Sequence, residues 1–233
     1  MERKTPGWEN ELWSYLESGD GLNCPIYESC TIRLKCVWCL SASRIQAIGE
    51  LVDNDNSDLT RFMSIEPEYP GCRKNGRIFK LVRRLTNKFQ VEAGIDRIPV
   101  PDNLITRDYN NVPIEFRQVP LKAHHGAVWR LSDCWLVHIN SNSTRARQRF
   151  TMYHEIFHIL AHWKGTPVFK KASRSREGVF NELLADHFAA NMLLPKGWVK
   201  KMWPEVKDVG QMAAIFEVPK PIMYLDLRAL GLI

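Results

Sequence analysis

The chain has 233 residues, of which 45% are hydrophobic and 25% charged, and its formal net charge is +6 at pH 7. This composition is typical of a soluble globular protein, and the length allows one sizeable domain plus a small one. The first six residues are polar, and no apolar run approaches membrane-spanning length. We therefore expect no signal peptide, no membrane helix and a cytoplasmic location.

Cysteines cluster in the first part of the chain, at Cys24, Cys30, Cys36 and Cys39. In a reducing cytosol such a cluster more often binds a metal than forms disulfides, and the two-residue gap between the last two is typical of a zinc knuckle. We favour a structural zinc ion at this cluster. An iron–sulfur cluster and buried thiols are the alternatives, and Cys72 could serve as an outlying ligand.

This part of the chain is predicted to form a separate module. Helical spacing of apolar residues predicts helices over residues 8–16 and 43–51. Prolines and a glycine within residues 66–71 then mark a boundary, which divides the chain into a Cys-rich module, residues 1–75, and a second domain, residues 76–233. A module of this size is near the lower limit for independent folding, so a bound metal would stabilise it.

Charge divides the chain in the same way. Residues 1–75 carry 8 Lys and Arg against 12 Asp and Glu, whereas residues 76–233 carry 24 against 14. The basic character therefore belongs to the second domain. It could attract nucleic acid or an acidic protein, but a solvated basic surface is the simpler explanation because the sequence contains no recognised DNA-reading motif.

The second domain begins with an amphipathic helix, predicted over residues 77–94. Short runs with β-like alternation follow at residues 114–119, 127–131 and 135–139, and Cys134 between the last two is expected in the core. These runs predict a small antiparallel sheet. Because two further helices follow it, the expected fold class is α+β, a helical core with a small sheet.

The sequence His154-Glu155-Ile156-Phe157-His158 lies within a run of helical apolar spacing. Residues four apart stand one above the other on a helix, so the two imidazoles can bind one zinc ion. The glutamate between them is placed to act as a general base in amide hydrolysis. The run therefore predicts the metal helix of a hydrolase.

A second helix is predicted over residues 181–195, and it carries two carboxylates one turn apart, Glu182 and Asp186. A catalytic zinc ion takes three protein ligands, so Glu182 completes the set with His154 and His158. Asp186 could accept the N–H of a ligating imidazole and fix its tautomer.

His162 lies on the same helical face as the two motif histidines. A third ligand there would be too far along the helix axis, and the place that metzincins use for a returning histidine holds Lys164, with no glycine before it. We interpret His162 as a helix C-terminal histidine, a position that the helix dipole favours for a cation.

The order of the motif and of the second carboxylate helix resembles the thermolysin-like gluzincins. The closer resemblance is to the ImmA/IrrE family of zinc metallo-endopeptidases, and it covers roughly residues 78–233. It rests on Phe150-Thr151 before the motif, His162 one turn after it, residues 185–195, and the tail segments 212–218 and 227–233. The resemblance implies a zinc endopeptidase that cleaves a helix-turn-helix repressor in a mobile-element or stress-response circuit.

Two positions depart from the family pattern. Family members commonly have Leu-Gly where this chain has Ile156-Phe157, so the packing behind the motif must differ. They commonly have Val-Ser where this chain has Val218-Pro219, which removes a helix cap. Neither change involves a proposed ligand.

Substrate contacts are predicted at several places. Residues 135–140 resemble the edge strand that holds an extended substrate in such peptidases. His138, Tyr153 and His187 are candidates for stabilising the oxyanion or contacting substrate. The basic segment 170–178 is expected to be a surface loop that could also act as a lid.

Two other functions fit the same residues. The chain could be a regulatory module that binds an antitoxin or repressor and holds a structural zinc, although Glu155 argues against it. It could also bind nucleic acid through its basic domain, with the cysteine cluster as a zinc module, which strong salt-dependent DNA binding would favour.

Overall fold

The computed structural model describes residues 7–18, 73–102, 104, 108–109, 112–122, 124–162 and 176–233. The cysteine cluster Cys24, Cys30, Cys36 and Cys39, the outlying Cys72 and the helix expected over residues 43–51 lie outside these residues. The N-terminal metal site therefore stays a prediction, and so does the domain boundary at residue 75.

Seven helices and four strands form the described part of the chain. The helices are α1 (Gly7–Ser18), α2 (Arg73–Glu92), α3 (Arg145–His162), α4 (Arg176–Leu193), α5 (Lys196–Val206), α6 (Val209–Phe216) and α7 (Lys220–Ala229). The strands are β1 (Asp108–Tyr109), β2 (Val112–Val119), β3 (Gly126–Arg130) and β4 (Trp135–Asn140). The predicted α+β class is confirmed.

The sheet is mixed, with the strand order β1-β2-β4-β3. β3 and β4 form an antiparallel hairpin, but β4 pairs with β2 in parallel, with Ile114 opposite Trp135. The expectation of an antiparallel sheet is therefore wrong for this pair. β4 therefore has a backbone partner on each side, and its Trp135, Val137 and Ile139 are buried. β3 is more exposed and lies at an edge of the sheet.

This order also changes which strand can hold a substrate. Residues 135–140, expected at the edge of the sheet, lie inside it, and the edges among the described residues are β3 and the two-residue strand β1. Alternation in sequence looks the same in β3 and β4. It identifies strands, but it does not determine which one lies outside.

The sheet and α3 share one apolar core. Ile114, Trp135, Val137 and Ile139 of the sheet pack with Ile159 of α3. The helix that carries the His-Glu-x-x-His sequence is therefore fixed directly on the sheet. Cys134 is buried, as expected.

The helices mostly follow the predicted segments. α3 is described as far as His162, and α4 begins at Arg176, inside the segment predicted as a loop. The residues after α4 form three short helices. Asp208 caps α6 by accepting from the Gln211 amide at 2.6 Å, whereas α7 follows Pro219 without a side-chain cap, as the Val218-Pro219 departure indicated.

The chain divides into two compact units, residues 83–163 with 185–233 and residues 1–82 with 164–184. The first holds the sheet, α3, α5, α6, α7 and most of α2. The described residues of the second include α1, in which Leu12 and Trp13 are buried. Within the described part of the chain, no helix has both the length and the apolar character needed to cross a bilayer.

Candidate metal centre

Helix α3 presents two imidazoles one turn apart. The Nε2 atoms of His154 and His158 lie 3.0 Å from each other, and their ring centroids are 4.8 Å apart. Ile156, Phe157 and Leu160 of the same helix are completely buried, which fixes the orientation of the histidine face. Two imidazole nitrogens at this separation can bind one metal ion.

Helix α4 adds a carboxylate to this pair. One ligand atom from each of His154, His158 and Glu182 lies within 4.8 Å of the others, and no other group of this kind occurs among the described residues. Zinc binds imidazole nitrogen and carboxylate oxygen at about 2.0–2.2 Å, so two of its ligand atoms are at most about 4.4 Å apart. The three side chains therefore fit one metal ion after a small adjustment.

Asp186 lies one turn after Glu182 on α4, and its Oδ1 atom accepts a hydrogen bond from Nδ1 of His154 at 2.8 Å. Because an ionised carboxylate can only accept, Nδ1 carries the proton and Nε2 keeps its lone pair for a metal. The structure thus brings together the carboxylate and the imidazole that the sequence suggested would interact.

Glu155 follows His154 in α3 and is only 8% exposed. Its side chain packs against the first residue of β3. A methyl group added at Gly126 would lie 2.8 Å from Oε1 of Glu155 and 3.2 Å from its Cγ. The backbone of the edge strand therefore forms one wall of the space that holds this carboxylate.

Phe157, which departs from the pattern that the family resemblance implies, fills the space between α3 and α4. Its ring lies 5.3 Å from that of Phe188, which in turn packs edge to face on Phe89 of α2 at 6.3 Å. These are favourable aromatic separations. The departure from the family pattern thus produces an aromatic contact between the two helices that carry the metal-site residues.

Tyr153, one of the candidates for stabilising the oxyanion, lies in the core. It is completely buried, and its hydroxyl donates to the carbonyl of Pro101 at 2.7 Å. Burial, assisted by the nearby Asp102 carboxylate, raises the pKa of Tyr153 well above its usual value. A role of Tyr153 in stabilising the oxyanion stays a prediction, which this burial does not support.

The role of His138 stays a prediction, and its position in β4 bears on it. Its neighbours Val137 and Ile139 pack on Ile159 of α3, and side chains alternate along a strand. His138 therefore lies on the opposite face of the sheet, where its ring is 4.6 Å from that of Trp129.

His187 lies on α4 but is not part of the three-residue group. Its Nε2 atom is 3.2 Å from Nδ2 of Asn191, and Oδ1 of Asn191 accepts from Arg83 of α2 at 3.2 Å. This contact places His187 toward α2. A role in substrate binding stays a prediction for this residue.

Two residues near the centre were not anticipated. Gly126 could have been recognised, since a glycine within a strand often marks a close backbone approach. Asn140, 9% exposed, joins the end of β4 to the loop before β3. Nothing in the local pattern indicated it, because its partners are set by strand order.

The mixed sheet, the two helices and the donor set of two imidazoles and a carboxylate define a metallopeptidase-type domain. In agreement, residues 108–227 match the family model of the IrrE N-terminal-like domain, peptidase family M78. The match covers just over half of the chain, so the chain belongs to this family. A search of curated proteins found no match.

Proposed function

We propose that this protein is a zinc-dependent endopeptidase. The observation that carries the proposal is the convergence of His154, His158 and Glu182 within 4.8 Å, and Glu155 directly follows His154 in the chain. The family supports a protease with a metal ion. Zinc is proposed because two imidazoles and one carboxylate are a common ligand set of catalytic zinc.

A bound zinc ion would supply Lewis-acid polarisation of the scissile carbonyl and of the attacking water. Glu155 would accept a proton from that water and then deliver it to the leaving amine. Its place next to His154 in the chain, yet outside the ligand set, suits this transfer. Asp186 would keep His154 in the tautomer that presents Nε2.

We propose that the substrate binds as an extended peptide along β3. This strand is at the sheet edge among the described residues, and its first residue contacts Glu155. Backbone pairing with an edge strand holds a peptide without requiring a particular sequence. A peptide on β3 would thus pass beside the general base.

The proposed substrate is a helix-turn-helix repressor, which places the reaction in the cytoplasm. Support comes from the sequence resemblance to the ImmA/IrrE family and not from the geometry of the site. The N-terminal cysteines are proposed to hold a separate structural zinc ion or an iron–sulfur cluster. Neither peptidase chemistry nor the site on α3 depends on that second metal.

The test compares cleavage of a candidate helix-turn-helix repressor by wild-type protein, by Glu155→Gln and by chelator-treated protein. Glutamine keeps size and hydrogen bonding but cannot take the proton, so cleavage should fall by about two to four powers of ten. Zinc content should not change. Mass spectrometry identifies the products.

Equal cleavage by wild type and Glu155→Gln would contradict the mechanism. A wild-type protein that binds the repressor with zinc present and never cuts it would favour the regulatory-module alternative. Strong salt-dependent binding to DNA alone, without cleavage, would favour the nucleic-acid alternative.

A further inference from the structure

Gly126 and the general base are in direct contact. A Cβ atom at this position would lie 2.5 Å from Cγ2 of Thr151, 2.8 Å from Oε1 of Glu155 and 3.2 Å from its Cγ. Contacts under 3.0 Å do not occur without movement of one partner. Of the glycines whose surroundings the structure describes, this one alone has neighbours that close.

The strand cannot easily move away from Glu155. Gly126 pairs with Ile139 of β4. The carbonyl of the preceding residue, His125, accepts a hydrogen bond from the backbone N–H of Asn140 at 2.8 Å. The Asn140 side chain adds further restraint, because its Nδ2 donates to the carbonyls of Leu121 and His124 at 3.0 and 3.1 Å. Both ends of the loop before β3 are therefore held.

Thr151 cannot easily move either. It is 5% exposed and lies on α3, where a β-branched side chain has few allowed rotamers. The Glu155 carboxylate is at the end of a longer side chain and can rotate. A side chain at residue 126 would therefore force a small shift at the Thr151 methyl group, its nearest neighbour, and would displace the more mobile Glu155 carboxylate further.

We propose that Gly126 is a positioning residue for the peptidase reaction. Its missing side chain creates the space in which the Glu155 carboxylate stays next to the edge strand and hence next to a peptide bound there. This inference rests on the proposed function. A misplacement of about 1 Å can reduce a rate by about 100-fold.

The test is Gly126→Ala, with Gly197→Ala as the matched control. A Cβ at Gly197 meets nothing within 4 Å. With the repressor as substrate, Gly126→Ala should lower kcat by about 10- to 100-fold. KM and zinc content should stay within twofold of wild type, and Gly197→Ala should change none of these quantities. In the double variant Gly126→Ala, Thr151→Ser the nearest methyl group is absent, so part of the lost rate should return.

A crystal structure of Gly126→Ala gives a readout that does not depend on activity. We expect the Glu155 carboxylate to be rotated away, with a small shift of the Thr151 methyl group and with β3 in place. A carboxylate in its original place with a displaced strand, or an unchanged kcat, would overturn the proposal. The crystal structure reports on Gly126 even if wild-type protein never cuts the repressor. Failure of the proposed function, which the cleavage assay of wild-type protein shows, is thus distinguished from failure of this inference.

Discussion

Replacing Arg149 with methionine should destabilise the domain, because this residue is a buried cation that joins three segments. Its guanidinium is only 1% exposed, and Nε donates to Oδ1 of Asp102 at 2.6 Å. Nη1 donates to the carbonyls of Phe216 and Glu217 at 3.0 and 3.2 Å, and Nη2 donates to that of Val100. The side chain thus holds α3 to the segment before β1 and to the end of α6.

Methionine fills a similar volume but leaves these acceptors without a donor. Removing one partner of a buried pair typically costs about 3–5 kcal/mol. Asp102 is 31% exposed and can be hydrated, so the loss should lie at the lower end, about 3 kcal/mol. For a chain of this size that corresponds to a fall in Tm of about 6–12 °C.

Arg145→Met is the matched control. Arg145 lies one turn earlier on α3 and pairs with the other oxygen of Asp102, but its side chain is 59% exposed. An exposed pair contributes under about 1 kcal/mol. Thermal unfolding of both variants should be followed by circular dichroism, with excess zinc and with chelator, because a bound metal raises apparent stability. Equal losses in the two variants, or a loss below about 1 kcal/mol in Arg149→Met, would refute the reasoning.

Two further predictions concern carboxylates. Burial raises the pKa of Asp226 to about 6, although the positive charges of Arg83 and Lys196 lower it in part. Because the folded pKa lies above the unfolded value, the stabilising effect of protonation is present below about pH 4 and lost as the pH rises through about 6. Asp226→Asn should therefore stabilise the metal-free protein by about 1–3 kcal/mol at pH 8 and far less at pH 4. The free energy of unfolding should be measured with urea at both pH values. Equal effects of the substitution at the two pH values would contradict this prediction. Asp186→Asn should weaken zinc binding about 10- to 100-fold with the fold retained, and an unchanged affinity in competition with a chelating dye would show that the contact with His154 has no effect on the metal.

The metal group was predictable because it depends on local geometry. The four-residue spacing of His154 and His158 places both imidazoles on one helix face whatever the rest of the chain does. The same spacing relates Glu182 to Asp186. Only the approach of α4 to α3 had to come from elsewhere, and the resemblance to a known family supplied it.

The environment of the general base was not predictable in the same way. Whether β3 or β4 lies at the edge is decided by pairing between distant segments, and both strands have the same alternation. The wrong choice of edge strand hid the contact between Gly126 and Glu155. Arg149 shows the same limit, since its partners lie 47 to 68 residues away in the chain.

The zinc content of Glu182→Gln tests the proposed metal centre most directly. It should be measured by elemental analysis in a Cys36→Ala, Cys39→Ala background, so that the N-terminal cysteines do not contribute. The exposed Glu205 provides the control variant Glu205→Gln. We predict one zinc ion per chain in the background protein and in the control, and none in Glu182→Gln after dialysis. A full equivalent of zinc with unchanged affinity in Glu182→Gln would contradict the three-residue site.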